Sequence, residues 1–560
     1  MTRDPAYSLL TVAACLALVA WFWLRGERFI AANGPTFDEG VHLAAGYSYW
    51  ATGDFRLNAE DPPLLKLAWA APLALSGSPP YPRDAAAATD NHWHVAHALL
   101  YESGVPPRQL LDPARRVNLA LGCCLVLLVG WVALRVWGSR LAAVAASTFA
   151  AADPTLLALS CVLSTDLGLT LFGLVTCYLL WEYAAAPSRG LLVAAGVSLG
   201  LMLGAKFSAV GLVAGVGAAG VVYVLRGGVL ALPGKGDAGG LRPALELALR
   251  LGVIAVVAVA ATYAFISFDQ WGKGLKFQLT RGAHGDGVMY LDGELSRRGW
   301  FHYFPVALAL KLPLGLLLAA SVSAVSHVLA IESTQQGADT PHPPNSVWLV
   351  VPPLVFFALA AYSRVDMGVR VVFPAVPFLY LLAAGLAAPG CCRVARAVVL
   401  AGCLAWCVFA AERASPSEVA HFNELAGGPV AGAKYLADSN LDWGQGLPAL
   451  REWMDREGVD AVYLGFFGTD RPEAHGIRFQ PLPGYGRVGA PGGEAIPADA
   501  PRHVVVVSAN HLLGLFLNDP DTYVWLRGRT PVAVPGGCVY VFDLTGDPDA
   551  VARVRSLPAR

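Results

Sequence analysis

The chain has 560 residues, of which 55% are hydrophobic and only 14% charged, and its formal net charge is −1. A typical soluble domain carries about 25% charged residues, so the composition argues against a soluble globular protein. The near-neutral balance gives no electrostatic footprint for nucleic acid.

Crossing a bilayer takes about 20 apolar residues in a helix. Eleven runs meet or approach that length: 7–25, 115–137, 139–158, 164–184, 189–205, 207–225, 248–268, 303–330, 346–362, 371–389 and 394–411. The first is followed by "FWLRGERF" rather than a small-residue cleavage site, and it reads as an uncleaved span. "ADPT" and "LSTD" interrupt the pattern around 139–166, where a short or re-entrant element is expected. Ten cysteines include the adjacent pairs Cys123-Cys124 and Cys391-Cys392, which suit small apolar packing better than disulfides.

Basic residues in short loops set the orientation. Arg135, Arg140, Arg189, Arg226, Lys235, Arg242, Arg393 and Arg396 fall in loops that share the side of the N-terminus. That side is therefore read as cytoplasmic. Residues 26–114, 269–302 and 412–560 then lie on the outer face. The expected architecture is mainly α: a transmembrane bundle over 1–411, with 26–114 as a long first outer loop, followed by a small α/β domain over 412–560. In that tail, "AVYLGFF", "HVVVVSA" and "CVYVFDL" read as strands, and "LPALREWMDREG" reads as a helix ending at Gly458.

The first outer loop opens with "TFDEGVH". Thr36 and Glu39 have capping-box spacing, and Asp38 suits a helix N-terminus. The helix should stop at Gly53, with Glu39, His42, Gly46 and Tyr49 on one face. "EDPPLLK" reads as a second helix start, with Asp61 as cap and two prolines in the first turn. Lys66 lies one turn inside it. The chain has only seven lysines, so Lys66, Lys206 in "LGAKFSA" and Lys311 in "ALALKLPLG" stand out. Charged residues in or beside apolar runs face a polar cavity or a partner.

Asp166 in "LSTDLGL" can cap its helix or serve a cavity. Arg364, Asp366 and Arg370 in "SRVDMGVR" form an edge cluster in which an arginine can grip an anion. His92, His94 and His97 in "NHWHVAH" fit a polar surface helix better than a metal site. In the tail, "DSNLDWGQ" combines Asp442, Trp443 and Gln445, an acid, an aromatic platform and an amide suited to a sugar or peptide, although turns also favour such residues.

Taken together and in order, "FDEGVHLAAGYSYWATGDF", "EDPPLLK", "DPTLLALSCVLSTDLGLTLF", "GAKFSA", "YFPVALALKLPLG" and "MGVRVVFPAVPF" resemble the protein O-mannosyltransferase and aminoarabinose lipid A transferase superfamily, multi-span glycosyltransferases of the GT-C fold. "FNELAGGPVAGAKYLADSNLDWGQGL" is similar to tails on some bacterial relatives. The resemblance implies transfer of a mannose-like hexose or related sugar from a polyprenyl-phosphate carrier to an acceptor at the outer face of a bacterial cytoplasmic membrane. It implies Asp38 as the catalytic carboxylate with Glu39 its neighbour, Lys66 near the carrier phosphate and Asp166 as a second acid of the cavity. His42, Lys206, Lys311 and Arg370 are the further candidates for substrate contact. Asp61 stands where many relatives have histidine, so any role of that histidine is absent.

The chemistry agrees. A sugar on a lipid phosphate has a good leaving group, which cations can stabilise. The acceptor hydroxyl needs one general base on the opposite side of the anomeric carbon. One base and a phosphate grip imply a single inverting displacement. The implied partners are a lipid-linked donor, membrane lipid and a protein, lipid or glycan acceptor. No cofactor is demanded beyond the donor, and a divalent cation is left open. The competing reading, a lipid-linked-sugar transporter, would favour paired repeats and midplane broken helices, and the sequence shows neither.

Overall fold

In the computed structural model, residues 5–77, 79–88, 91–233, 241–284, 287–335, 344–363, 365–389, 393–484 and 493–558 are described. Lys235, Arg364 and the Cys391-Cys392 pair lie outside them.

The described residues of the bundle are mainly helical, as its apolar runs dictate, with one antiparallel strand pair, Met289–Leu291 and Glu294–Ser296. Six helices are long and apolar enough to cross a membrane, or up to eight if each bent pair is one span. Arg189–Ala205, Ala209–Leu225 and Val347–Tyr362 are apolar but shorter. Eleven spans were expected, with a short or re-entrant element around 139–166, and two of the runs are sharply bent. The run at 139–158 becomes Arg140–Ala151 and Pro154–Cys161, inclined by 63°. Asp153 causes the break: its carboxylate caps the second helix by accepting from Thr155 N at 2.7 Å, and Pro154 at the first position cannot continue the first helix. The run at 303–330 becomes Tyr303–Lys311 and a helix starting at Leu314, bent by 112°. Pro313 lacks the amide that a continuous helix would use there.

Both helices expected in the first outer loop form, with shifted starts. Glu39–Thr52 begins one residue after Asp38 and ends at Gly53, whose φ of 69° suits glycine. Half of the expected capping box is present: the Thr36 amide donates to Glu39 Oε2 at 2.7 Å. The second helix is Leu64–Ser76, with Pro63 rather than Asp61 at its N-cap. The two helices pack so closely that a Cβ at Gly46 would overlap the Lys66 carbonyl.

The tail carries a four-stranded sheet in the order Arg478–Pro481, Ala461–Gly465, Val504–Ser508, Val539–Asp543. The first three strands are parallel and the last is antiparallel. The three anticipated strands are present. Arg478–Pro481 adds a fourth, too short and polar to announce itself. Helix Leu447–Glu457 ends at Gly458 as its sequence indicates.

The tail does not stand apart from the bundle. One hydrophobic core joins Tyr303, Phe304, Val369 and Val372 of the bundle to Phe422, Tyr463, Val505 and Tyr540 of the tail. At this junction the buried Lys311 ammonium donates to three tail carbonyls: Val419 at 2.9 Å, Asn440 at 2.5 Å, and His421. A lysine deep in an apolar run is costly unless it is satisfied, and here the tail satisfies it. Lys311→Ala would leave those three carbonyls without their donor, at about 1–3 kcal/mol for each that water does not reach. The expected result is a lower unfolding temperature in detergent and earlier proteolytic release of the tail. Wild-type values for both would show that the ammonium does not hold the tail.

Candidate active site

A cavity of about 1530 Å³ opens where the first outer loop, the 269–302 segment and the tail meet the bundle. Of the residues singled out from sequence, Asp38, His42, Asp61, His92, Lys206, Arg370 and Trp443 line it. Glu39, Lys66, Asp166, Lys311, Asp442 and Gln445 do not, and each of the six has a buried partner instead.

Asp38 sits at the N-terminus of helix Glu39–Thr52, where its side chain makes no capping bond. Its carboxylate has no hydrogen-bond or ion-pair partner among the described residues and faces the cavity. Phe37, beside it, is held by the tail: its amide donates to Trp443 O at 2.8 Å and its carbonyl accepts from Thr469 Oγ1 at 3.0 Å. The Phe37 ring stacks on Phe467 at 5.2 Å.

Glu39 points the other way. It accepts from Arg115 Nε at 2.9 Å, Arg115 Nη2 at 2.6 Å, Leu163 N at 3.1 Å and Thr36 N at 2.7 Å. Arg115 spends its remaining donors on Asn33 O and Gly34 O. Both side chains are 1% exposed. Expected beside the chemistry, Glu39 is instead a saturated anchor, and sequence reasoning passed over its partner Arg115. The available signal was an arginine close to the start of an apolar helix.

Asp166 is also an anchor. Its side chain is 1% exposed and holds two cations that do reach the cavity: Lys206 Nζ at 2.5 Å and Arg370 Nη1 at 3.6 Å. Ser164 Oγ donates to it at 2.7 Å. Arg370 is fixed further by Ser439 Oγ at 3.0 Å and lies 4.6 Å above the Trp443 ring. The three are far apart in sequence, and the fold turns them into a rigid pair of positive charges. Lys66, expected near the carrier phosphate, is instead fully buried, and its ammonium donates to Asn58 O at 2.6 Å and Asp61 O at 2.8 Å.

From the tail come Asp438 and Trp443. Burial, partly offset by Arg370, pushes the Asp438 carboxyl up to about 6. Asp442 and Gln445 build the turn that presents these two. Asp442 accepts from Gly444 N at 3.1 Å and Asn510 N at 3.3 Å, and burial pushes its carboxyl up to about 7. Gln445 Oε1 accepts from Trp443 N at 2.7 Å. Sequence reasoning singled out the right stretch but not the division of labour within it.

Two more groups complete the wall. His42 Nε2 lies 3.5 Å from Asp61 Oδ2, so Asp61 serves the cavity and caps no helix. His92 also lines the cavity, whereas His97 pairs with Glu102 at 3.1 Å. Arg281, Arg297 and Arg298 add positive charge from the 269–302 side. Among the described residues no three His, Cys, Asp or Glu side chains gather as a metal site.

The cavity thus combines an accessible carboxylate with clamped cations beside apolar helices. Residues 113–227, which include Asp166 and Lys206, match the family model described as dolichyl-phosphate-mannose-protein mannosyltransferase. Among solved structures this chain is similar to ArnT from Cupriavidus metallidurans bound to undecaprenyl phosphate, at 15% identity and a TM-score of 0.47, covering 98% of this chain and 99% of that one. The apo state of the same ArnT gives 14% and 0.45, over 96% and 98% of the two chains. The S. cerevisiae Pmt1-Pmt2 complex bound to the sugar donor gives 17% and 0.32, over 46% of this chain and 34% of that one. No curated protein matches.

Removing the Glu39 charge strands Arg115 inside the protein. Glu39→Gln is expected to cost about 3–5 kcal/mol, the usual result of breaking a buried pair. Thermal unfolding of the purified variant checks this, and an unchanged unfolding temperature would place the anchor elsewhere.

Proposed function

We propose that this chain is a GT-C-type membrane glycosyltransferase that moves a mannose-like hexose from a polyprenyl-phosphate carrier to a hydroxyl of a protein acceptor, on the outer face of a cytoplasmic membrane. The observation that carries the reading is the unpartnered Asp38 carboxylate, which shares one cavity with the Lys206–Arg370 pair clamped on Asp166. Asp38 is the general base for the acceptor hydroxyl. Lys206 and Arg370 hold the carrier phosphate and stabilise the charge that develops as it leaves. They are fixed before substrate arrives, so they need little reorganisation during the reaction. With Asp38 as the general base, a single direct displacement inverts the anomeric carbon.

Each part of the site lies where its substrate arrives. Val210, Gly211, Phe356 and Leu359 line the cavity from the membrane helices, and they suit a polyprenyl chain. Phe37, Trp443, Phe467 and Phe516 form the opposite, tail-side wall and suit the acceptor. The family model's description favours a protein acceptor over a lipid or glycan.

The test is transfer of labelled sugar from a polyprenyl-phosphate donor to serine- and threonine-containing peptides by the purified protein. Asp38→Asn should lower turnover by about 10²–10⁴-fold, the contribution typical of a general base, with donor KM little changed. Lys206→Ala and Arg370→Ala should raise donor KM and lower turnover. Wild-type turnover in Asp38→Asn would remove it from the mechanism. Unchanged donor dependence in both cation variants would put the phosphate elsewhere.

A further inference from the structure

The leaving phosphate gains a negative charge as the anomeric bond breaks, and the cavity holds a third group suited to meet it. His42 lies one turn after Asp38, its amide bonded to the Asp38 carbonyl at 3.1 Å. Its ring is fixed on both sides. Nδ1 lies 2.7 Å from the Leu163 carbonyl. A carbonyl can only accept, so Nδ1 carries a proton. Nε2 is then the nitrogen that can gain or lose one, and it faces Asp61 Oδ2 at 3.5 Å. At that distance Asp61 holds Nε2 in an ion-pair contact and orients a ring that lines the cavity. The indole of Trp69, 5.7 Å away, backs the ring.

Asp61 is tied to the phosphate grip. Thr165 Oγ1 donates to Asp61 Oδ1 at 3.3 Å, and Thr165 directly precedes Asp166, which holds Lys206 and Arg370. Burial alone would raise the Asp61 carboxyl, but His42, Lys66 and Lys206 outweigh it and hold Asp61 below the usual carboxylate range. Asp61 is thus an anion over the whole working range, placed to keep a proton on His42.

We propose that His42 donates its Nε2 proton to the departing carrier phosphate, with Asp61 as its positioning residue. This rests on the transfer reaction proposed above and adds a second proton-transfer group to it. The acceptor oxygen bonds to the anomeric carbon while its proton passes to Asp38. The bond from that carbon to the phosphate oxygen breaks, and its electron pair stays on the oxygen, which takes the proton from His42. The carrier departs as a phosphate monoanion. A proton returning from Asp38 to His42 through solvent restores both groups.

Asp61 and His92 interact electrostatically with His42, while Glu60, Lys66, Lys206 and Arg370 act on Asp61 and Asp38 acts on His92. Turnover should therefore fall as pH rises and His42 loses its proton. His42→Gln should lose that alkaline limb and cost about 10²–10⁴-fold in turnover with the lipid-phosphate donor. With a glycosyl fluoride, a leaving group that needs less help, the loss should be far smaller. Asp61→Asn should move the alkaline limb to lower pH, which a merely structural residue would not do. An unchanged alkaline limb in His42→Gln, an equal loss with both donors, or an unmoved limb in a folded Asp61→Asn enzyme would each overturn the role of His42 and leave the transfer reaction intact. Failure of the wild-type enzyme to transfer sugar from any polyprenyl-phosphate donor would overturn both.

Discussion

The interior of this protein cannot hold an unpaired charge, and that constraint organises the rest of the structure. Desolvating an ion costs several kcal/mol even after relaxation, so each buried charge must collect partners from distant parts of the chain. Glu39 and Arg115 bind the first outer loop to the helix Pro107–Trp137. Arg25, fully buried, ties the first span to Glu418 at 3.3 Å and to the carbonyls of Ala151 and Ala411. Lys311 fastens the tail, and Asp166 gathers Lys206 and Arg370. The same accounting shows which groups are left over for chemistry. Asp38 sits beside the most saturated carboxylate in the site and has no hydrogen-bond partner of its own. Of two neighbouring acids, one is anchored and the other faces the cavity, its position fixed by the first.

The tail is part of this arrangement. Its core is continuous with that of the bundle through Tyr303, Val372, Tyr463 and Val505. It also contributes one wall of the cavity, so the loop that carries Asp38 is built partly on the tail's backbone through Phe37 and Trp443. Phe516, in the left-handed region at φ 56°, stacks on Phe467 at 4.8 Å and lines that wall. A bulky residue in that region persists only where its surroundings over-determine it, which marks the wall as rigid. Apolar helices line one side of the cavity, and the tail closes the opposite side.

Much of this was legible in the amino-acid order. Long apolar runs, the glycine stops at 53 and 458 and the alternating tail strands are local patterns, and local physics reads them. The candidate residues were legible as types, because a lysine or aspartate at the edge of an apolar run is costly enough to need a reason. Their roles were not legible. Glu39 and Asp38 are adjacent and chemically alike, yet Arg115, three quarters of a hundred positions away, takes one and leaves the other. Lys66, Lys206 and Lys311 carry the same signal in sequence; carbonyls take Lys66 and Lys311, and only Lys206 reaches the cavity. Asp61 read as a cap because its nearest neighbours are prolines, and only packing reveals His42 across from it. Sequence by itself determined the elements, the membrane character and the inventory of charges, since each depends on near neighbours. Tertiary structure alone decided which charges are spent on one another and which remain to act, because pairing in a low-dielectric interior is settled by residues that meet only when the chain has folded.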